Sequence, residues 1–527
     1  MTSDEALSPL RLVVALVHPV ASQLIKLPNG ATITGTLETN VANQSVQVFR
    51  GIPYAEAPIG NRRWKQAVLK PVATNVNATA FGRICPGDAR YDWQSAAFES
   101  SEDCLFLNVY APAGVSAKAK LPVLIYIHGG SFVAGAGNIF DGGNLIAAAN
   151  SQLVFVSINY RLSVFGFLSN DALKGEGEGV NYGLRDQETA FTWIRQYIKY
   201  FGGNPKDITA MGESAGAKSV FTHLIARKGK QKLFQKAIAE SGALPSVHDI
   251  PTSDQQNSVT ALIASKVGCN DTSNASVTLQ CLRSADTSAI WSAGGLLSWQ
   301  PVVDGVYLLR SPSLCVQAGA FSKVPTIFGT NTDEGWLFIT QFVNAPESVM
   351  PYVRSRFSRL TASELEQVDT LYPPTSFVSP KHRASEIYGD AIYACPTEVA
   401  SLEFAGRGLT TFRYRFNQTS TRLGWPLAVH TAELNYVFNN ASILPQDPVT
   451  QTFVKSLQRY WISFSSRGSP NNGQEQIWPQ YDVASNQQIV LQASNLALET
   501  PGSYMPQHKE RCEFWNAVEL RLASSLS

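Results

Sequence analysis

Two periods alternate along this chain. "LPVLIYIHGG" (Leu121 to Gly130), "LVFVSINYRL" (Leu153 to Leu162), "DITAMGES" (Asp207 to Ser214) and "VPTIFGTNTDEG" (Val324 to Gly335) are short apolar runs that end in glycine or polar turns. Such runs lack an apolar/polar alternation, which predicts strands covered on both faces, as in a parallel sheet. The stretch "GLRDQETAFTWIRQYIKYFGG" (Gly183 to Gly203) instead places Ala190, Trp193, Ile194, Tyr197 and Ile198 on one stripe and stops at glycine. That spacing predicts an amphipathic helix. Strands alternating with helices imply an open α/β architecture, with a large, mostly parallel central sheet and helices on both faces. From Glu347 to Ser385 the chain is more polar, helical in pattern and broken by prolines, and it reads as a helical cap. No flexible linker divides the chain, so residues 23–527 are expected to form a single domain.

Composition sharpens this picture. The chain has 527 residues, 44% hydrophobic and 10% aromatic, which supports a large core. The net charge is +1, so no electrostatic footprint for nucleic acid or for a charged membrane is present. A continuous apolar run of about 18 residues, as a spanning helix needs, is absent, so stable membrane insertion is not expected. "LRLVVALVHPVASQ" (Leu10 to Gln23) has the short apolar core and small-residue exit of a signal peptide. Asp4 and Glu5 stand where positive charge is usual, and His18 and Pro19 interrupt the core. Residues 1–22 are therefore read as a signal peptide or an N-terminal extension. Asn43, Asn77, Asn270, Asn274, Asn417 and Asn440 each begin an N-x-S/T sequon. The seven cysteines (Cys85, Cys104, Cys269, Cys281, Cys315, Cys395 and Cys512) form no C-x-x-C pair, which argues against a zinc site. Cys85 with Cys104 and Cys269 with Cys281 would each close a short loop, as structural disulfides do in an oxidising compartment. Together with the sequons this points to a secreted protein.

The candidate chemistry centres on "MGESAGA" (Met211 to Ala217). A G-x-S-x-G run between a predicted strand and a predicted helix is the pattern of a nucleophile elbow. The glycines leave room where strand and helix meet, and the sharp turn lifts the hydroxyl of Ser214 over the sheet edge. A serine needs a base. Of the histidines after Ser214, His223 lies within the following helix, and His508 sits beside Lys509 and Glu510 in what reads as a solvated setting. His430, in "WPLAVHTAELNYVF", falls in a loop and is the favoured base. Asp304, Asp333 and Glu334 all follow plausible strands, and the residues alone do not choose among them as the acid. "HGGSF" (His128 to Phe132) follows a buried strand, as an oxyanion-hole loop does.

These segments resemble the type-B carboxylesterase family of carboxylesterases, cholinesterases and some fungal lipases. "EDCLFLNVYAP" (Glu102 to Pro112) and "FGGNPKDITAMGESAG" (Phe201 to Gly216) match its two signatures. "FRGIPYAEAPIGNRRW" (Phe49 to Trp64), "NYRLSVFGFL" (Asn159 to Leu168) and "NYGLRDQ" (Asn181 to Gln187) add to the likeness, which runs from about Leu27 to Trp515. The resemblance implies an α/β-hydrolase fold and a Ser214, Glu334 and His430 triad. It implies oxyanion donors at Gly130, Ser131 and Ala215, and disulfides Cys85–Cys104 and Cys269–Cys281. It further implies ion pairs of Arg50 with Glu102 and of Arg161 with Asp186. Ser131 departs from the family's glycine triplet, and Ala210 stands where a larger aliphatic is usual.

The expected protein is a serine carboxylic-ester hydrolase that acts through an acyl-enzyme on small to medium soluble esters. No metal or organic cofactor is implied. A lipase, a natural-product-tailoring esterase or a transacylase is the alternative within the same chemistry. A non-catalytic adhesion protein on the esterase fold is the alternative of another class, and the filled triad positions argue against it. Trp93 is a candidate for the mouth of the site, and Trp299 and Trp336 are candidates for walls of the acyl pocket, these two with core packing as the plain alternative.

Overall fold

Alternate residues of each apolar run pack on opposite faces of one sheet. In Leu121–Ile127, Val123, Ile125 and Ile127 join a core with Trp193, Phe191 and Phe221, whereas Leu124 and Tyr126 join a second core with Phe155, Met211 and Trp461. Both faces are covered, which is why these strands carry no polar alternation. A computed structural model of the chain describes residues 22–88, 97–177, 179–269, 274–339, 343–419, 427–504 and 507–526. Positions 1–21, Trp93 and Asn270 lie outside the described residues.

The strands are β1 (Ser22–Lys26), β2 (Thr32–Thr39), β3 (Ser45–Pro53), β4 (Val76–Asn77), β5 (Phe106–Pro112), β6 (Leu121–Ile127), β7 (Val154–Ile158), β8 (Gly203–Glu213), β9 (Lys236–Glu240), β10 (Thr326–Asn331), β11 (Thr411–Phe416), β12 (Gln488–Leu491) and β13 (Ala497–Glu499). They form one sheet in the order β1-β2-β3-β5-β7-β6-β8-β9-β10-β11-β12-β13, with β4 beside β2. The run from β7 to β12 is parallel, and antiparallel pairs close both ends. Ligand sites in such sheets gather at the carboxyl ends of the parallel strands.

Local chemistry fixes the elements between the strands. The helix Tyr182–Tyr197 starts at Asn181, which holds a left-handed φ of 61°. Its amide is anchored both ways to the backbone of Val302. A 3₁₀ turn carries the chain to Gly202, whose φ of +84° ends it as glycine allows. Gly203, placed by its pattern at the end of that helix, instead begins β8 and pairs with Leu121. The cap consists of helices Pro346–Arg356, Ala362–Leu371 and Pro380–Gly389. Val353, Val368 and Ile387 from these helices share a third core with Trp515 and Val518 of the C-terminal helix His508–Ala523.

Two expectations are corrected here. Glu102 pairs with Arg63 at 2.5 Å, and Arg50 pairs with Glu38 across β2 and β3. The second arginine of "GNRRW" reaches Glu102 because the chain turns through the 3₁₀ segment Gly60–Arg62 just before it. The Arg161–Asp186 pair is present at 2.7 Å and fully enclosed. His508 is not solvated: it is 4% exposed, and its ring bonds the Glu398 carboxylate against Arg413.

Candidate active site

The turn after β8 is built from close approaches that side chains would prevent. A Cβ on Gly212 would lie 2.4 Å from the backbone of Gly216, and one on Gly216 would lie 2.0 Å from the carbonyl of Ile127 on β6. The two glycines thus let the strand end, the helix start and β6 touch. Ser214 between them has φ 56° and ψ −121°, a sparsely populated conformation for a residue with a side chain. Its N–H donates to Glu240 O at 2.9 Å, which ties the turn to β9. The helix beginning at Ala215 points its N-terminus at Ser214, where its unpaired N–H groups favour negative charge.

The neighbouring strand ends converge on the same place. After β6, Gly130 has φ +96° and Ser131 φ +55°. After β10, Glu334 opens a short 3₁₀ segment and is 2% exposed. The backbone N–H of Asn331 donates to Glu334 Oε1 at 2.8 Å, and His430 Nδ1 lies 2.5 Å from Glu334 Oε2. Gly335 follows because the cap helix Pro380–Gly389 comes so near that a Cβ there would meet the Ser385 carbonyl at 2.0 Å. Asp333 faces away and accepts from the Ala428 N–H at 2.9 Å. It thereby fastens the segment that carries His430. Asn331 Nδ2 donates to Val429 O and to Glu433 Oε2, which fastens the same segment from the other side.

His430 is buried, with the rings of Tyr393 at 4.8 Å and Phe338 at 5.1 Å. Its Nε2 lies 3.3 Å from Glu213 Oε1, the side chain immediately before Ser214, and makes no hydrogen bond among the described residues. Glu213, Glu240 and Glu433 are enclosed near one another. Burial, followed by repulsion from neighbouring carboxylates, holds Glu213 well above the usual range, and burial does so for Glu240. Glu433 is pushed up to about 8 by burial and by Glu334. Burial thus disfavours the charged form of these acids beside the imidazole.

The remaining candidates divide clearly. Asp304 closes a turn by accepting from the N–H groups of Val306, Tyr307 and Leu308. His223 is buried against Gln187 and Tyr307, and burial lowers it to about 4. Trp299 is packed in the core, donating to Gly294 O, and Trp336 is half-buried with the Lys381 ammonium over its ring at 4.2 Å. Disulfides join Cys85 to Cys104 and Cys269 to Cys281, and a third joins Cys395 to Cys512, leaving Cys315 buried and free. The third bridge escapes sequence reasoning because its ends are 117 residues apart. Glu398, His508 and Cys512 bring ligand-type atoms within 4.8 Å of one another. The Cys512 sulfur is bonded to Cys395 and the Glu398–His508 pair is mutually satisfied, so this set does not suit a cation.

An elbow after a central parallel strand, with an acid and a histidine supplied by later strand ends, defines the α/β-hydrolase class. The crystal structure of Aspergillus niger EstA superposes with a TM-score of 0.84 at 29% identity, covering 95% of this chain and 99% of that one. Residues 21–515 match the carboxylesterase family, and the chain belongs to it. It is 31% identical to secreted lipase 4 of Gibberella zeae over 98% of this chain and 97% of that protein. It is 33% identical to the para-nitrobenzyl esterase of Bacillus subtilis over 87% and 93%, respectively. The protein is a carboxylic ester hydrolase.

Proposed function

We propose that the protein hydrolyses small to medium soluble esters through an acyl-enzyme on Ser214. The observation that carries this reading is the 2.5 Å contact of His430 Nδ1 with Glu334, beside a serine held in the elbow conformation. An ionised carboxylate only accepts, so Nδ1 carries the hydrogen and Nε2 keeps a free lone pair. Nε2 takes the proton as the Ser214 oxygen attacks the ester carbonyl. Glu334 keeps the ring oriented and stabilises the imidazolium. Backbone N–H groups of Gly130, Ser131 and Ala215 receive the oxyanion. The imidazolium then returns its proton to the leaving alcohol, and water repeats the sequence to release the acid.

Secretion is part of the same proposal. Three disulfides and the secreted relative from Gibberella zeae support it.

The test is Ser214→Ala. It should fold normally and lose activity by on the order of 10⁴-fold or more, as removal of a triad member does. Wild-type protein should take up one organophosphate at Ser214. Substantial turnover by the variant would assign the reaction to another nucleophile.

A further inference from the structure

Away from the triad, an open groove of about 430 Å³ runs between the helices Ser253–Lys266 and Ala275–Ser284. Its walls are chiefly methyl groups and short aliphatics, from Thr260, Ala261, Ala264, Ala275, Thr278 and Leu279. Concave, mostly apolar walls of this kind suit a group of matching size that lies over them.

The covering group has an attachment point at the lip. Asn274 is exposed and directly precedes Ala275, and it begins the sequon Asn274-Ala275-Ser276. Its Oδ1 accepts from the N–H groups of Ser276 and Val277 and caps the helix. With Oδ1 turned inward against the helix end, Nδ2 of the same amide is turned outward. Of the other sequon asparagines among the described residues, Asn440 is half-buried and its Oδ1 accepts from the Ser442 hydroxyl. Asn417 is half-buried, its Nδ2 donates to Gln492 and its Oδ1 receives the Thr332 hydroxyl. Asn43 and Asn77 are exposed but do not border this groove.

We propose that Asn274 carries an N-linked glycan whose first sugar, an N-acetylhexosamine, lies over this groove. In the modification, Nδ2 attacks the anomeric carbon of a polyprenyl-pyrophosphate-linked oligosaccharide. The N–C bond forms, the bond from that carbon to the pyrophosphate oxygen breaks with its electron pair on the departing lipid pyrophosphate, and the amide loses one proton. The acetyl methyl and the C–H face of the sugar ring supply the apolar surface that the alanine-lined wall lacks. The linkage leaves Oδ1 free, so the helix cap persists. The proposal rests on passage through a secretory compartment, and the experiment imposes that route.

The full chain is secreted from a eukaryotic host behind the host's own leader, digested, and mapped by mass spectrometry after glycosidase release in heavy-oxygen water. Asn274 should be modified and Asn417 unmodified. The variant Ser276→Ala destroys the sequon but keeps both capping N–H groups. It should keep its esterase rate, bind more of an apolar-surface fluorescent dye, and melt at a lower temperature than the wild type. Unmodified Asn274 in secreted, active protein overturns the site. A modified Asn274 with a Ser276→Ala variant unchanged in dye binding and melting overturns the covering role. A concentration-dependent dimer that buries the groove in glycosylated protein does the same. The esterase rate of the wild type is read separately, so failure of the proposed function is distinguishable from failure of the glycan.

Discussion

Ser131 holds a side chain at φ +55°, a conformation that costs a non-glycine residue about 1–2 kcal/mol. Its proposed role uses only the backbone N–H, so Ser131→Gly should keep ester hydrolysis. Relief of strain outweighs the added freedom of the unfolded chain, and the variant should gain up to about 1 kcal/mol in a urea titration. The two adjacent acids separate more sharply. Glu334→Gln removes the charge that faces the imidazolium and should lower kcat by on the order of 10⁴. Asp333→Asn still offers an oxygen to the Ala428 N–H, so its loss should be under about tenfold. Equal losses, measured side by side on one substrate, would reassign the acid. Glu433 gives a pH signature. The unfolded carboxyl ionises near 4.5, whereas the folded one keeps its proton up to about 8. Between those values the folded state binds more protons, so this group costs stability as pH rises, by up to about 1.4 kcal/mol per pH unit. Glu433→Gln cannot titrate. Its stability relative to wild type should therefore rise between pH 5 and pH 8, as read from melting at both.

At the scale of elements, the bridge from Cys395 to Cys512 joins the start of helix Cys395–Gly406 to the C-terminal helix. Cys395 is two residues from Tyr393, whose ring packs on His430. Replacing both cysteines with serine should cost about 2–5 kcal/mol. Activity at moderate temperature should fall along with stability, because the wall beside the histidine loosens. A double variant with unchanged melting would show that the C-terminal helix is held by its apolar contacts alone. These include Trp515, Val518 and Leu522 in the third core.

For the whole molecule, the question is how substrate reaches the proposed, buried triad. A lipase lid opens at a lipid interface, and the candidate for such a segment here is the one that Cys85 and Cys104 close, of which residues 89–96 lie outside the described residues. Its ends are fixed by the disulfide, and Glu102 beside one end is locked to Arg63. From the anchored ends we expect little opening at an interface. Short-chain soluble esters should follow ordinary saturation kinetics with no jump in rate at the solubility limit, and long-chain triglyceride should be poor. A steep rate increase on an emulsion would place the protein with lipases such as its Gibberella zeae relative.

Chain periodicity alone specified an α/β sheet with both faces buried, because strands such as Leu121–Ile127 and Val154–Ile158 have no polar side to expose. The elbow was legible for a similar reason: Gly212 and Gly216 are local requirements of a tight turn, written within five residues. Tertiary structure alone decided which distant groups meet. The 117-residue separation of Cys395 and Cys512, the exchange of Arg50 for Arg63 at Glu102, and the enclosure of His508 by Glu398 each depend on how elements pack. The same holds at the site. Asp333 and Glu334 are neighbours in sequence, but the bridge from Asp333 to the Ala428–Val429 backbone turns one carboxylate outward to the loop and leaves the other against His430. Local patterns are set by steric and solvent demands on adjacent residues, whereas pairings across the molecule exist only once the sheet has brought its strand ends together.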